Sequence, residues 1–220
     1  MDRIDAILYI NLDQRTDRRT HLEAEFQRMG LPAEKIHRIN AIKHTNGALG
    51  CTLSHLKALK LVEENPAWER VLIMEDDYTF KGTSYSDFNE PLADFFKKFD
   101  VEGWDVFLPS YNHWNAVVED TLYPQYKTVA YSQTTSSYIF QRAYIDKLKT
   151  NFRASAEGLM RHGRSPQHCL DINWTHLQKG GRWFLVYPAL GHQYDNHSDI
   201  EGRVVRYGCW FINNPNCPTT

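Results

Sequence analysis

Long apolar runs are missing from this chain. The longest, Ala6 to Ile10 and Trp183 to Leu190, fall far below the roughly 18 residues that span a bilayer, so no membrane helix is expected. An excess of either charge is missing too. Lys+Arg 25 against Asp+Glu 27 leaves a formal net charge of −2, which provides no general field for nucleic acid or anionic lipid. An anionic ligand has to be met locally. Met1-Asp2-Arg3 leads directly into a strand-like run, without the basic region, apolar segment and small-residue site of a secretory signal. Four cysteines, Cys51, Cys169, Cys209 and Cys217, contain no Cys-x-x-Cys pair, which argues against a zinc ribbon or a redox motif. Reduced thiols in the cytoplasm are the expectation. Asn173-Trp174-Thr175 and Asn196-His197-Ser198 fit the glycosylation pattern, which carries little weight without a secretory signal.

What is present is ordinary globular material: 220 residues, 42% apolar and 24% charged, with Gly 12 and Pro 9. A chain of this length suits one α/β domain. Aromatics, at 13%, serve either a large core or flat stacking surfaces. Short apolar runs alternate with helical patterns, as in a mostly parallel sheet flanked by helices. Strands are predicted over 4–12, 36–41, 71–74, 105–108, near 128–131 and 137–140, and over 183–187. Helices are predicted over 16–29 with a stop at Gly30, around 53–62 ending before Asn65-Pro66, over 88–99, from Ala143, and over 168–178. The last thirty residues read as irregular.

Three clusters carry chemistry. Val71-Leu72-Ile73-Met74-Glu75-Asp76-Asp77 places three carboxylates directly after a buried strand. In open α/β sheets that is where ligands bind, and clustered carboxylates suit Mg²⁺ or Mn²⁺; the alternative is a solvated acidic turn. Asn11 to Arg19 brings Arg15, Arg18 and Arg19 to a strand end, either for phosphate recognition or as a solvated helix face. Gly47 to His55 reads as a glycine-bearing loop entering a helix, able to offer amides to an anion. It matches neither the dinucleotide fingerprint nor the P-loop. Cys51 with Ser54-His55 lacks a third orienting group for nucleophilic catalysis, so a structural Cys and a ligand-contacting His fit better.

In this order the clusters resemble glycosyltransferase family 25. The residues that carry the resemblance are Tyr9-Ile10-Asn11-Leu12 with Arg15, Asp17 and Arg18; Gly50-Cys51 with Leu53-Ser54-His55-Leu56; and Val71 to Asp77. Ser137-Tyr138-Ile139-Phe140 and Ser198-Asp199-Ile200 extend it over about residues 7 to 201. The family includes lipooligosaccharide and collagen hydroxylysine galactosyltransferases. The resemblance implies a GT-A fold over 1–200, with 201–220 as an irregular tail packed on it. It also implies inverting transfer of a hexose, galactose or glucose, from a UDP-sugar to a saccharide or hydroxylysine hydroxyl.

On that resemblance Glu75 and Asp77 are the expected metal ligands, for Mn²⁺ or Mg²⁺, with His192 as a late ligand and His197 as its rival. Asn11, Arg15, Arg18, Ala41, Ser54, His55 and Asp76 are the expected donor-binding residues. Asp171 is the expected general base, since inversion needs a carboxylate to take the acceptor proton. Trp174, beside it, is the tryptophan expected to stack on a sugar; Trp104, Trp114 and Trp183 have the weaker case. A non-catalytic nucleotide-sugar-binding domain and a nucleotide-sugar hydrolase are the competing readings.

Overall fold

The computed structural model describes residues 3–206. Cys209, Cys217 and most of the expected tail lie outside the described residues. Among the described residues, twelve strands and six α-helices follow in chain order: β1 (Ala6–Asn11), α1 (Thr16–Arg28), β2 (Ile36–Asn40), α2 (Gly47–Glu64), β3 (Arg70–Glu75), β4 (Tyr78–Phe80), α3 (Tyr85–Phe99), β5 (Val106–Leu108), β6 (Val117–Asp120), β7 (Tyr126–Tyr131), β8 (Ser137–Gln141), α4 (Ile145–His162), α5 (Leu170–Asn173), α6 (Thr175–Gln178), β9 (Trp183–Val186), β10 (Gly191–Gln193), β11 (Asn196–Ser198) and β12 (Arg203–Val205).

Eight strands form one sheet in the order β2-β1-β3-β8-β5-β9-β7-β6. Pairs β1·β2, β1·β3 and β5·β9 are parallel, whereas β8 and β7 run against their neighbours. Six of the eight strands therefore point the same way, and the sheet is mixed in its pairings. Successive residues of a strand face opposite sides, and both sides are covered. Ala6, Leu8, Ile10, Val71 and Ile73 pack with Leu59 and Val62 of α2 and Leu148 and Phe152 of α4. Ile7, Tyr9, Leu72 and Met74 pack with Phe26 of α1 and Phe88, Phe95 and Phe99 of α3. Burial on two faces is why these strands read as unbroken apolar runs rather than alternating ones.

The expected elements over 16–29, 36–41, 88–99, 105–108 and 137–140 form within one to three residues of their predicted bounds. Other features differ, among them β4 and β6, which form where no strand is predicted. Gly47 to Leu53 is not a loop but the opening of α2, capped by Asn46, whose side-chain oxygen accepts from Leu49 N at 3.4 Å. The helix predicted over 168–178 breaks into a short 3₁₀ turn at Pro166–His168, then α5 and α6. The break turns Trp174 inward, where it is fully buried, stands edge-on to Tyr138 and Trp183, and donates to Ser132 O at 3.0 Å. Trp174 is thus a core residue with no face open to a sugar. Finally, the stretch expected to be irregular contains β10, paired with β4, and the hairpin of β11 and β12.

Candidate active site

Strand β1 lies between β2 and β3, so the chain leaves it in one direction and returns on its other side. At such a switch point the carboxyl ends of the strands open a crevice. Asn11 ends β1 and Glu75 ends β3, and across this gap Asn11 Nδ2 donates to Asp76 Oδ2 at 2.7 Å. The buried Asn11 also accepts from Arg38 Nε at 3.0 Å, so the β2 residue fixes which way the amide points. Arg38 had no signal in the sequence because its role depends on strand pairing.

Arg18, from the first turn of α1, reaches the acidic turn. Its Nη1 lies 2.8 Å from Asp76 Oδ1 and 3.2 Å from Asp77 Oδ2. Its Nη2 bonds Asn196 Oδ1 and also His197 O at 3.0 Å. Arg15 is gripped by Asp17 at 2.7 Å, Asp199 at 2.5 Å and His197 O at 2.9 Å. Both guanidiniums thereby tie α1 to the segment around β11. Ser54 bridges Ile42 N at 2.8 Å and Gly50 O at 2.6 Å, and Ala41 N donates to Asn11 O at 2.9 Å. These contacts hold the β2–α2 connection against the cleft. Gly50 is needed there, because a Cβ would stand 2.6 Å from Ile42 O.

The cleft has two adjoining chambers that share Cys51, Glu75, Gln193 and Ile200. One, of about 200 Å³, is lined by Arg18, Ala41, Ser54, His55, Asp76 and Asp77 among others. The other, of about 180 Å³, is lined by Thr134, Thr135, Arg164, Cys169 and Asp171. Glu75 stands at their junction, and of the expected catalytic, metal and donor-binding residues Arg18, Ala41, Ser54, His55, Glu75, Asp76, Asp77 and Asp171 line a chamber wall, whereas Asn11, Arg15, His192, its rival His197 and Trp174 do not. Asn11 and Arg15 lie just behind it through the bonds above.

His192 does not join the carboxylates. It pairs with Thr79 in the β10·β4 ladder, where side chains alternate, and the next residue, Gln193, takes the inward position. Gln193 Nε2 donates to Glu75 Oε2 at 3.2 Å and to Asp77 Oδ1 at 3.1 Å. His192 faces the other side, where burial and the nearby Lys81 lower its pKa. The side chain of His197 is exposed, and only its carbonyl reaches the arginines. Period-two alternation over 191–193 was the signal for Gln193, legible only once a strand is known to run there.

A connection before β8 was equally silent in the sequence. Thr134 sits at φ 75, a conformation uncommon for a branched residue. Its backbone N–H bonds Asp171, while Thr135 Oγ1 donates to Glu75 Oε1 at 2.7 Å. Two successive residues thus position two carboxylates that line the second chamber.

The electrostatics follow from crowding. Burial pushes Asp77 up to about 6 against the pull of Arg18, with Glu75 and Asp76 adding to the rise. Burial also raises Asp76, opposed by Arg18 and Asn11. Burial would raise Glu75 as well, but its contacts with His55 and Thr135 outweigh this and hold it below the usual range. Asp171 is pushed up to about 6 by burial and by the charge of Glu75, despite its backbone hydrogen bonds. A carboxyl with such a pKa can hold or release a proton near neutrality.

The family model described as Glycosyltransferase family 25 (LPS biosynthesis protein) matches residues 35–162. This chain belongs to glycosyltransferase family 25. The family match covers β2 through α4, and so includes His55, the acidic turn and the Thr134–Thr135 connection. No curated protein matches the chain in sequence. Among solved structures it is similar to A197 from STIV, at 12% identity and TM-score 0.51 over 93% of this chain and 94% of that one. A glycosyltransferase involved in glycosylation of the major capsid of PBCV-1 gives 12% identity and TM-score 0.49, covering 83% and 81%. Mannose-1-phosphate geranyltransferase from Thermus thermophilus gives 14% and 0.45, covering 82% and 72%. The fold of this chain is a mixed eight-stranded central sheet flanked by helices, as expected for the α/β class. No helix among the described residues is long and apolar enough to cross a membrane.

Proposed function

We propose that this family 25 chain is an inverting, metal-dependent hexosyltransferase that moves galactose or glucose from a UDP-sugar to a hydroxyl. The observation that carries the reading is the placement of Glu75 between two chambers, with Asp77 in one and Asp171 in the other. The first chamber suits the donor and the second the acceptor. A saccharide is the acceptor in the primary reading, in keeping with the family's lipopolysaccharide description, and a hydroxylysine peptide is the other candidate. Cys51 and Cys169 are free thiols, compatible with a cytoplasmic location.

The donor set fits a hard divalent ion. Glu75 and Asp77 offer carboxylate oxygens, and Arg18 is the cation in contact with the acidic turn, so three carboxylates outnumber their counter-charge. Glu75 and Asp77 would hold Mn²⁺ or Mg²⁺, which neutralises charge on the departing nucleoside diphosphate. Asp171 takes the acceptor hydroxyl proton as that oxygen bonds the anomeric carbon from the side opposite the leaving phosphate oxygen. Thr134 N–H keeps the Asp171 carboxylate aimed, and its partial burial reduces its contact with water. Arg18 and Asn11 hold Asp76, while Gln193 bridges Glu75 and Asp77 and keeps their carboxylates turned toward each other.

The test follows donor breakdown and product formation over a panel of nucleotide sugars, with and without saccharide acceptors, and with chelator. Acceptor-dependent, chelator-sensitive transfer from a UDP-hexose is expected. Donor breakdown indifferent to acceptor identifies a hydrolase, and donor binding without turnover a binding domain; either outcome overturns the transferase reading.

A further inference from the structure

At the junction of the two chambers, Cys51 Sγ, His55 Nε2 and a Glu75 carboxylate oxygen lie within 4.8 Å of one another. His55 is fully shut off from water, yet its Nε2 has no hydrogen-bond partner in the structure. A buried ring nitrogen without a partner costs free energy. It points at Glu75 Oε1, 3.4 Å away. The other ring nitrogen, Nδ1, lies 3.0 Å from the Tyr138 hydroxyl.

We propose that Cys51, His55 and Glu75 form a binding site for a thiophilic divalent cation of the Zn²⁺ class, which shares Glu75 with the hard-ion position on Glu75 and Asp77. Thiolate, imidazole and carboxylate together match the ligand preferences of zinc, and three protein ligands leave a fourth position open to the cleft. Ligand distances of about 2.0–2.3 Å place tetrahedral donor atoms about 3.3–3.8 Å apart, so atoms now within 4.8 Å of one another close by at most about 1.5 Å on binding.

The supporting contacts are already in place. Cys51 and His55 are one turn apart on α2, so their side chains share a helix face. Thr135 Oγ1 donates to Glu75 Oε1 at 2.7 Å and holds that carboxylate. The Tyr138 hydroxyl can donate to His55 Nδ1 or accept from it. In the second state Nδ1 carries the hydrogen and Nε2 presents its lone pair to the ion, so the imidazole serves as a ligand without net loss of a proton. The Cys51 thiol loses its proton to solvent as the metal–sulfur bond forms. An ion here draws on Glu75, so this site and the hard-ion site compete for one carboxylate.

The test needs no donor and no turnover, so it stands apart from the transferase reading. Chelator-stripped chain is titrated with Co²⁺ and then Zn²⁺, reading the sulfur-to-cobalt charge-transfer absorption. A band bleached by Zn²⁺ but not by Mg²⁺ is expected, absent in Cys51→Ser and kept in Cys169→Ser. Tyr138→Phe is expected to weaken Zn²⁺ about 10-fold by removing the group that orients His55. Should Cys51→Ser not fold, a chain with Cys169, Cys209 and Cys217 changed to Ser decides the matter by zinc-edge X-ray absorption. One sulfur at about 2.3 Å upholds the site. A shell of nitrogen and oxygen alone, no band in the parent chain, or a band that survives Cys51→Ser overturns it.

Discussion

The guanidinium of Arg18 and the carboxylate of Asp77 stand 3.2 Å apart with side-chain exposures of 11% and 4%. Arg18 is held at the same time by Asp76, at 2.8 Å. Losing one partner of a buried ion pair strands the other. Arg18→Ala is therefore expected to destabilise the metal-free chain by about 3 kcal/mol. Arg15→Ala removes bonds to Asp17 and Asp199, which are 63% and 34% exposed, and is expected to cost under about 1 kcal/mol. Chemical denaturation of both variants checks the contrast; equal losses would show that the acidic turn does not depend on Arg18.

Asp77 itself should oppose folding at neutral pH. Its pKa is raised in the folded chain to about 6, so its contribution to stability is complete below the unfolded value near 4 and is lost as pH rises through 6. About two units correspond to about 3 kcal/mol. Without metal, Asp77→Asn is expected to be more stable than the parent at pH 7.5, with the difference shrinking as pH falls to 4. Thermal melts across that range measure it, and a gap that widens on acidification contradicts the assigned sign. The same variant should lose chelator-sensitive donor binding, measured by calorimetry with and without Mn²⁺.

Asp171 gives a separate pH signature. With its pKa pushed up to about 6, it is charged and able to accept a proton only above that value. Transfer rate is expected to rise with pH through a midpoint near 6 and then level off. Asp171→Asn should lower the rate by about 10² to 10⁴ while donor affinity survives. Loss of donor binding together with rate would instead place Asp171 on the donor side.

Gly50 tests the packing of the cleft wall. A Cβ at this position would stand 2.6 Å from the Ile42 carbonyl oxygen and 3.3 Å from His44 Cβ, so Gly50→Ala must push the β2–α2 connection outward. A destabilisation of about 1–3 kcal/mol is expected from such overpacking. Denaturant unfolding reads it directly; an unchanged midpoint would mean the connection yields without cost.

Local chemistry along the chain determined much of this protein. Val71 to Met74 had to be a strand buried on both faces, because no polar residue interrupts it, and Glu75 to Asp77 had to emerge at its end. Leu22 and Phe26 placed α1, Gly30 ended it, and motif order was enough to indicate the family. What the sequence could not decide was which distant groups meet. Proximity to Asp171 in the sequence points Trp174 at a sugar, but the break between α5 and α6 turns it into the core against Trp183. His192 is the expected late ligand for its place after Tyr187 to Gly191 near the final motif, yet the register of β10 against β4 sends it away and brings Gln193 to Glu75 and Asp77. Thr134 and Thr135 carry no motif, and they reach Asp171 and Glu75 only because β8 runs back alongside β3. Composition and periodicity act over a few residues, whereas strand pairing and side-chain direction depend on partners outside that window, and those are set only when the whole sheet assembles.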